Sequence, residues 1–383
     1  MTRDPLHVLI TDPHLQGGGQ VRYIANLGRA LVQAGHRVTL GCRTGSVLEG
    51  TAAAIGAAAL PVFQFRGGLR PASWRNDLGQ IRRFVQESRP DILHANLSQD
   101  HWACGIANRF MGSPVCVVRT RHNTYAVRDS AANRILNRDW TDYQIVVCDT
   151  VRQTLAGQRA FDPSRLCSIH NGVDASDYAP DSDARARARA EFGYAPDDVV
   201  VGIAARLVKA KGHEFLFRTL AILHRDFPVL RCLVLGQGEL EASLKTMAAE
   251  LGIAPAVRFA GFRDDMAICT QAFDIGVQPS IDCDTSSFSL KEQMACEKPV
   301  IASDYGGLVE IVDDGIEGLV VAQGTVEPLA NAIRRLASDK GLRERMGKAG
   351  RVRVLREFTL GVFASRTVEA YRRALELHRE RRA

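Results

Sequence analysis

The chain has 383 residues, of which 46% are hydrophobic and 24% are charged, and its formal net charge is +6. This length predicts two domains of about 100 to 200 residues, and the hydrophobic content excludes a disordered tail protein. No apolar run approaches the roughly 20 residues that a bilayer span needs, since the longest candidate, residues 51–62, is short and rich in alanine. Residues 1–6 lack the charged and then apolar pattern of a secretory leader, so we expect no signal peptide.

The charge is divided unevenly along the chain. Residues 1–175 carry 20 arginines, no lysine and 13 acidic residues, a net charge of +7, whereas residues 176–383 have a net charge of −1. A positive first half predicts an anionic partner or substrate on that side. The nine cysteines include no C-x-x-C pair, which indicates neither a disulfide framework nor a zinc clip and favours a reducing cytosol.

Strand and helix patterns alternate through the first 170 residues. Residues 7–10 are apolar and β-prone, Gly17-Gly18-Gly19 interrupts them, residues 21–31 have helical spacing, and residues 37–40 resume as a strand. Further strands are predicted at 91–94, 114–118, 143–148 and 166–169. This alternation predicts a parallel sheet with helices on both faces.

The same alternation restarts after Asn171-Gly172-Val173-Asp174. A charged helix is predicted at 182–191, and a long Arg-rich helix at 358–383. Strands are predicted at 199–204, 230–235, 257–260, 274–278 and 299–302. The pattern therefore predicts an α/β protein with two Rossmann-like doubly wound domains. We place the first domain at 1–173 and the second at 174–357, with the helix 358–383 packing back on the first.

Two glycine loops raise a dinucleotide-binding alternative. Gly17 and Gly19 follow a strand, but the third glycine position of G-x-G-x-x-G is Arg22, and in the loop that begins at Gly236 it is Glu241. The motif is therefore incomplete in both places. A nicotinamide-dependent oxidoreductase stays open as an alternative, and nicotinamide binding would identify it.

Phosphoryl-transfer and metal motifs are also weak. No G-x-x-x-x-G-K-[ST] occurs, and His213-Glu214 lacks the second histidine of H-E-x-x-H. Asp282-Cys283-Asp284 is a D-x-D, a short motif that holds a divalent ion in some sugar transferases. We expect no metal site and no bound cofactor.

The segment 279–310, PSIDCDTSSFSLKEQMACEKPVIASDYGGLVE, carries the most information. It resembles the signature of retaining glycosyltransferases of family 4, which have the two-domain GT-B fold with its domains facing across a cleft. Their pattern places two acids eight positions apart, and Glu292 matches the second. The first is Asp284 here, one methylene shorter than the usual glutamate, and Thr285-Ser286-Ser287 replaces the usual Gly-Phe-Gly.

The resemblance implies roles for this segment. Glu292 would bind the nucleotide ribose, and Asp284 would position the donor sugar. Backbone amides around Ser287, Phe288 and Ser289 would meet the sugar and phosphate at a helix start, where an anion is favoured.

Further matches extend the resemblance along nearly the whole chain. Residues 202–212, GIAARLVKAKG, resemble the family's G-R-L-x-x-x-K-G, which puts Arg206 and Lys211 on the positions that neutralise the donor diphosphate. Such cations stabilise the charge that collects on the leaving diphosphate. His122 falls on the histidine that faces the donor sugar. The flanking Arg119 and Arg121 either bind an anionic acceptor or only solvate a loop.

The remaining matches concern nucleotide-sugar contacts. Gly18 and Gly19 resemble the first-domain loop that closes on the phosphates, and Gly236 lies in the second glycine loop. Phe262 and Arg263 resemble the loop near the nucleobase. We predict that all five contact the nucleotide sugar.

Together these features predict a retaining glycosyltransferase. It would move a sugar from a nucleotide diphosphate sugar to a hydroxyl of an anionic glycan or lipid-linked acceptor, in cell-envelope polysaccharide or lipopolysaccharide biosynthesis. We expect a cytoplasmic protein, peripheral on the inner membrane face, that does not bind nucleic acid. Acceptor choice would lie in loops such as 66–75 and 119–138. A non-catalytic nucleotide-sugar-binding protein and a GT-B nucleotide-sugar 2-epimerase remain alternatives.

Overall fold

The computed structural model describes residues 4–68 and 70–382. The chain forms two compact units: unit 1 is residues 1–172 with 360–383, and unit 2 is residues 173–359. Some positions used in the sequence predictions lie outside the described residues: 1–3 at the chain start, 69 in the predicted acceptor loop and 383 at the end of the terminal helix.

Unit 1 is built on a seven-stranded sheet. Its strands are β1 (His7–Thr11), β2 (Arg37–Arg43), β3 (Ala58–Phe63), β4 (Ile92–Ala95), β5 (Cys116–Arg121), β6 (Tyr143–Val146) and β7 (Leu166–Ser168). Its helices before residue 173 are α1 (Gly19–Gln33), α2 (Val47–Ala54), α3 (Pro71–Ser88), α4 (Ser98–Phe110), α5 (Ala131–Arg134) and α6 (Asp149–Ala156). The strand order is β3-β2-β1-β4-β5-β6-β7, and every pair is parallel. The order reverses between β1 and β4, the kind of position where doubly wound sheets bind ligands.

Unit 2 repeats this architecture with six strands. These are β8 (Val199–Ala204), β9 (Leu230–Leu235), β10 (Val257–Gly261), β11 (Ile275–Gln278), β12 (Val300–Ser303) and β13 (Gly318–Val321). The helices are α7 (Ser182–Phe192), α8 (His213–Leu223), α9 (Glu241–Glu250), α10 (Met266–Gln271), α11 (Phe288–Ala295), α12 (Glu327–Ser338) and α13 (Lys340–Glu357). The order β10-β9-β8-β11-β12-β13 is again fully parallel. The predicted fold class, two Rossmann-like doubly wound α/β domains, is therefore confirmed.

Two strands were missing from the sequence prediction, β3 and β13, and both lie at sheet edges. The alanine-rich run 51–62 contains the end of α2 and most of β3, so a single apolar stretch concealed two elements. Pro61 lies within β3, and proline is tolerated in a strand at an edge because its missing N–H costs no ladder bond there. β3 is largely exposed, which weakens its hydrophobic pattern, whereas β13 is mostly buried but has only four residues.

The last helix, α14 (Leu360–Glu380), belongs to unit 1 and packs on α1 and on strands β5 and β6. The hydroxyl oxygen of Tyr371, which is fully buried, lies 2.6 Å from His94 Nδ1, and His378 Nδ1 lies 3.0 Å from Asp142 Oδ2. Buried polar pairs of this kind set the helix register on the sheet. Across residues 4–68 and 70–382, no helix combines the length and apolarity of a membrane crossing.

The buried His94 predicts an acid-sensitive fold. Burial, reinforced by Arg119, lowers the pKa of His94 to about 3. The unfolded histidine takes up a proton below about pH 6.5, whereas the folded one does not, so the free energy of unfolding falls as the pH drops from 6.5 towards 3. We expect His94→Gln to flatten this dependence by up to about 1.4 kcal/mol per pH unit. Urea denaturation at several pH values measures the free energy of unfolding of both proteins. An equal dependence on pH in wild type and His94→Gln would contradict the prediction.

Candidate functional site

The candidate site in unit 2 lies where its strand order reverses, between β8 and β11. The loop after β8 contains Arg206 and Lys211, and the loop after β11 contains Asp284. Because the carboxyl ends of adjacent parallel strands lie at the same edge of a sheet, these two loops become neighbours. The sheet topology therefore brings together residues that the sequence predicts for one site.

Lys211 and Asp284 form an ion pair at the centre of this site. Lys211 Nζ donates to Asp284 Oδ2 at 2.8 Å, and the side chains are only 16% and 6% exposed. Gln278 Nε2 at 2.8 Å and Ser280 Oγ at 2.7 Å donate to the same oxygen. All three contacts fall on Oδ2, and no hydrogen bond to Oδ1 is found in the described part of the chain. Asp284 thus orients Lys211 through Oδ2, and its contact with a donor sugar stays a prediction.

Two glycines allow the loops to approach so closely. Gly212, next to Lys211, has φ +69°, and a Cβ there would collide with the carbonyl oxygen of Pro279. Gly236 has φ +129°, and a Cβ there would collide with the carbonyl oxygen of Ala205. Only glycine adopts such backbone angles easily and also needs no room for a Cβ atom. Gly236 therefore supports the β8 loop from the β9 side.

Helix α11 presents the second predicted acid. Glu292 lies on this helix and is 2% exposed. Ser287 caps the helix, because its Oγ accepts from Leu290 N at 3.2 Å, and Phe288 and Ser289 form the first turn. The amides of that turn point toward the N-terminal end, where they favour an anion. Ser287, Phe288 and Ser289 therefore lie at a helix start as expected, and their contact with the sugar and phosphate stays a prediction.

The two acids of the D-x-D have different partners. Asp284 pairs with Lys211, whereas Asp282 Oδ1 accepts from Tyr305 Oη at 2.9 Å and from Cys283 N at 2.7 Å. Their carboxylates therefore belong to separate hydrogen-bond sets. Within residues 4–68 and 70–382, no cluster of three or more His, Cys, Asp or Glu side chains has the arrangement to hold a metal ion.

The other predicted cations differ in environment. Arg206 is exposed at the loop after β8. Arg263 is paired with Glu191 at 2.8 Å and Asp265 at 2.7 Å, while Phe262 is 66% exposed. Arg263 is thus engaged within the protein by two acids, and its contact with a nucleobase stays a prediction.

His122 belongs to unit 1 and follows β5. Its Nε2 lies 3.1 Å from Asn96 Oδ1, and Tyr23 packs edge-on against the ring at 4.6 Å. Asn96 Nδ2 donates to Thr11 O at 3.1 Å, which turns Oδ1 toward the histidine, so the His122 Nε2–H donates to it. Burial and then Arg119 lower the pKa of His122 well below its usual value. The imidazole is therefore neutral near pH 7.

Arg119 is not a solvated loop residue. It is 4% exposed, and its Nη1 lies 3.9 Å from Asp100 Oδ1. Gly18 and Gly19 are exposed at the start of α1, and a Cβ at either would meet no atom within 4 Å. No packing requirement in the described structure explains these glycines. Their contact with the donor phosphates stays a prediction.

No motif in the sequence pointed to Gln278, Ser280 or Lys291. The first two surround the Asp284 carboxylate, and Lys291, with no exposed surface, donates to Ser286 Oγ at 2.7 Å and lies 4.9 Å from the Phe358 ring. A signal exists in each case, because a glutamine ends an otherwise apolar strand and a lysine stands in a wholly buried helical segment. Buried polar residues of this kind need partners.

Comparison with known proteins decides the family. Residues 17–177 match the sequence profile described as Glycosyltransferase Family 4, and residues 184–353 match that of Glycosyl transferases group 1. The chain is 30% identical over 320 residues to a D-inositol 3-phosphate glycosyltransferase of Actinosynnema mirum, covering 76% of this chain and 74% of that protein. The chain belongs to glycosyltransferase family 4. The sequence-based family prediction is therefore confirmed.

A second relative shares a shorter region. This family 4 chain is 35% identical over 201 residues to a GDP-mannose-dependent alpha-(1-6)-phosphatidylinositol monomannoside mannosyltransferase of Mycolicibacterium smegmatis, which covers 50% of the chain and 52% of the relative. The match thus spans about half the length of that protein.

Solved structures share the fold. A glycosyltransferase from Rickettsia africae superposes with a TM-score of 0.87 at 21% identity, covering 98% of this chain and all of that one. Anabaena HepE in complex with UDP-glucose superposes with a TM-score of 0.81 at 20% identity, covering 95% and 98%. The fold that the chain shares with these structures therefore agrees with its membership of family 4.

Proposed function

We propose that this family 4 chain is a retaining glycosyltransferase that uses a nucleotide diphosphate sugar as donor. The observation that carries the proposal is the Lys211–Asp284 pair, held at 2.8 Å where the strand order of unit 2 reverses. A cation oriented by a carboxylate would bind the diphosphate, and the remaining carboxylate oxygen would bind a sugar hydroxyl.

The chemistry needs little beyond positioning and charge. When the bond between the sugar and the diphosphate breaks, negative charge collects on the leaving diphosphate. Lys211 and Arg206 would stabilise that charge more in the transition state than in the ground state. The leaving diphosphate takes the acceptor proton, so the front-face mechanism requires no separate protein base. The neutral His122 would contact the sugar by hydrogen bonding.

The acceptor that we propose is an anionic glycan or lipid-linked hydroxyl in envelope polysaccharide synthesis. The net charge of +7 in residues 1–175 supports an anionic acceptor, and two relatives carry inositol-containing acceptors in their names. A positive surface also favours an anionic membrane face. If added salt and anionic lipid change neither membrane association nor acceptor use, this part of the proposal fails.

A donor screen tests the activity. UDP-, GDP- and ADP-sugars are tested by thermal shift, because a ligand at 100 times its dissociation constant stabilises by about 2.7 kcal/mol. A shift followed by slow donor hydrolysis or by transfer with retained anomeric configuration supports the enzyme. Binding with neither reaction would instead favour a nucleotide-sugar sensor, and isomerised donor would favour an epimerase.

Asp284→Glu tests the sugar contact. The longer side chain restores the usual family residue but displaces a carboxylate that three donors hold at 2.7 to 2.8 Å. We expect the Michaelis constant for the donor, measured by steady-state kinetics, to change at least about fivefold, or ~1 kcal/mol. Unchanged donor kinetics would show that position 284 does not touch the sugar.

A further inference from the structure

A basic pocket in unit 1 is not used by the donor chemistry. It has a volume of about 450 Å³ and lies at the carboxyl ends of strands β1 to β4, lined among others by His14, Arg43, Arg66 and Arg70. Arg43 is the last residue of β2, and Arg66 and Arg70 belong to the loop that follows β3. His14 and three arginines, from the loops after β1 and β3 and from the end of β2, therefore line one concave space.

These positive charges are not neutralised by the protein. In the part of the chain that the structure describes, no acidic side chain pairs with Arg43, Arg66 or Arg70. Asp12 binds His14, with Oδ1 2.8 Å from Nδ1. This hydrogen bond raises the pKa of His14 above its usual value. Because Asp12 is the partner of His14, the uncompensated charge of the pocket comes from the three arginines.

The loop that carries two of the arginines is held in place from behind. Gln64 N and Phe65 N donate to the two carboxylate oxygens of Asp77 at 2.8 and 2.9 Å, and Asp77 is 3% exposed. Phe65 has φ +40° and stacks on Phe63 with ring centroids 4.6 Å apart. A non-glycine residue holds such a backbone angle only where its surroundings enforce it, and residues of this kind cluster at ligand sites. These contacts therefore fix the start of the loop, next to Arg66.

We propose that this pocket binds a phosphate group carried by the acceptor substrate. Guanidinium groups bind phosphate oxygens through paired N–H donors, and a group with up to two negative charges matches the uncompensated arginines. This inference rests on the proposed function and adds to it the acceptor's chemical class. The phosphate belongs either to a soluble phosphosugar or to a lipid headgroup.

Equilibrium dialysis with labelled inorganic phosphate tests the pocket. The full chain carries Lys211→Ala throughout, so that the predicted diphosphate site does not contribute. We expect Arg43→Gln/Arg66→Gln/Arg70→Gln to weaken phosphate binding at least tenfold. The control Arg82→Gln/Arg83→Gln/Arg109→Gln removes the same charge from exposed positions of unit 1 and leaves binding within twofold. Equal weakening in both variants, or no binding by the parent, would overturn the proposal.

A vesicle assay separates the two phosphate sources. Vesicles of phosphatidylcholine with phosphatidic acid are compared with pure phosphatidylcholine, using the chain with an intact Lys211. If the pocket variant loses binding to the first kind, the phosphate is a lipid headgroup. If the pocket variant binds the vesicles as the parent does but no longer binds labelled phosphate, the source is a soluble phosphosugar.

The donor screen keeps the two proposals apart. The pocket belongs to unit 1 and the predicted donor residues Lys211 and Glu292 belong to unit 2. A chain that binds phosphate in the pocket but no nucleotide sugar would refute the proposed function alone. Donor binding with a phosphate affinity that the pocket variant does not change would refute the pocket alone.

Discussion

Replacing Lys211 by alanine should lower turnover about 10²- to 10³-fold while leaving the fold intact. Removing one preorganised group that stabilises transition-state charge typically has an effect of this size. The side chain is partly exposed and its main partner is Asp284, so we expect little loss of packing. Steady-state kinetics with the best donor from the screen measures the effect, and circular dichroism checks the fold.

Lys209→Ala is the matched control. Lys209 begins the same single helical turn, Lys209–Lys211, and is exposed, so the control removes an equal charge two residues away. We expect its turnover to remain within about twofold of wild type, because surface charges at a distance are screened. Similar losses in the two variants would mean that the loop contributes only general positive charge.

Replacing Gly212 by alanine should reduce both stability and turnover. The substitution forces a Cβ into a left-handed backbone position, which costs about 1 to 2 kcal/mol, and drives it against the Pro279 carbonyl oxygen. The loop after β8 must then move away from the loop after β11, which separates Lys211 from Asp284. We expect the free energy of unfolding of unit 2, measured by urea denaturation, to fall by about 3 kcal/mol or more.

Gly193→Ala separates strain from collision. Gly193 also has a left-handed backbone, φ +77°, at the end of α7, but a Cβ there meets nothing within 4 Å. We expect Gly193→Ala to lower the free energy of unfolding by only about 1 kcal/mol and to leave turnover unchanged. Equal destabilisation at the two positions would contradict the close approach of the two loops.

The site combines elements of different predictability. Short sequence motifs, whose order along the chain suggested the family, contain Arg206, Lys211, Asp284 and Glu292. Gln278 precedes the signature segment, and Ser280 lies in it at a position to which the resemblance assigns no role, although both donate to the Asp284 carboxylate. Their importance depends on the direction of a strand end and on a neighbouring loop, and neither is a property of local sequence.

The fold shows the same division. Buried central strands were predictable because both faces are covered and their sequences are continuously apolar. The edge strands β3 and β13 were not predicted, because β3 is largely exposed and shares an alanine-rich run with α2, and β13 has only four residues. The helical pattern of α14 was visible, but its pairing of Tyr371 with His94 joins positions 277 residues apart.

By itself the sequence determined the α/β class, the alternation of strands and helices, and the family, because these depend on local periodicity and on the order of short motifs. The tertiary structure alone decided which side chains meet. Lys211 and Asp284 are 73 residues apart along the chain, and the basic pocket collects arginines from separate strand ends. A parallel sheet places non-consecutive strands side by side, so the partners at its carboxyl edge follow from strand order rather than from sequence spacing.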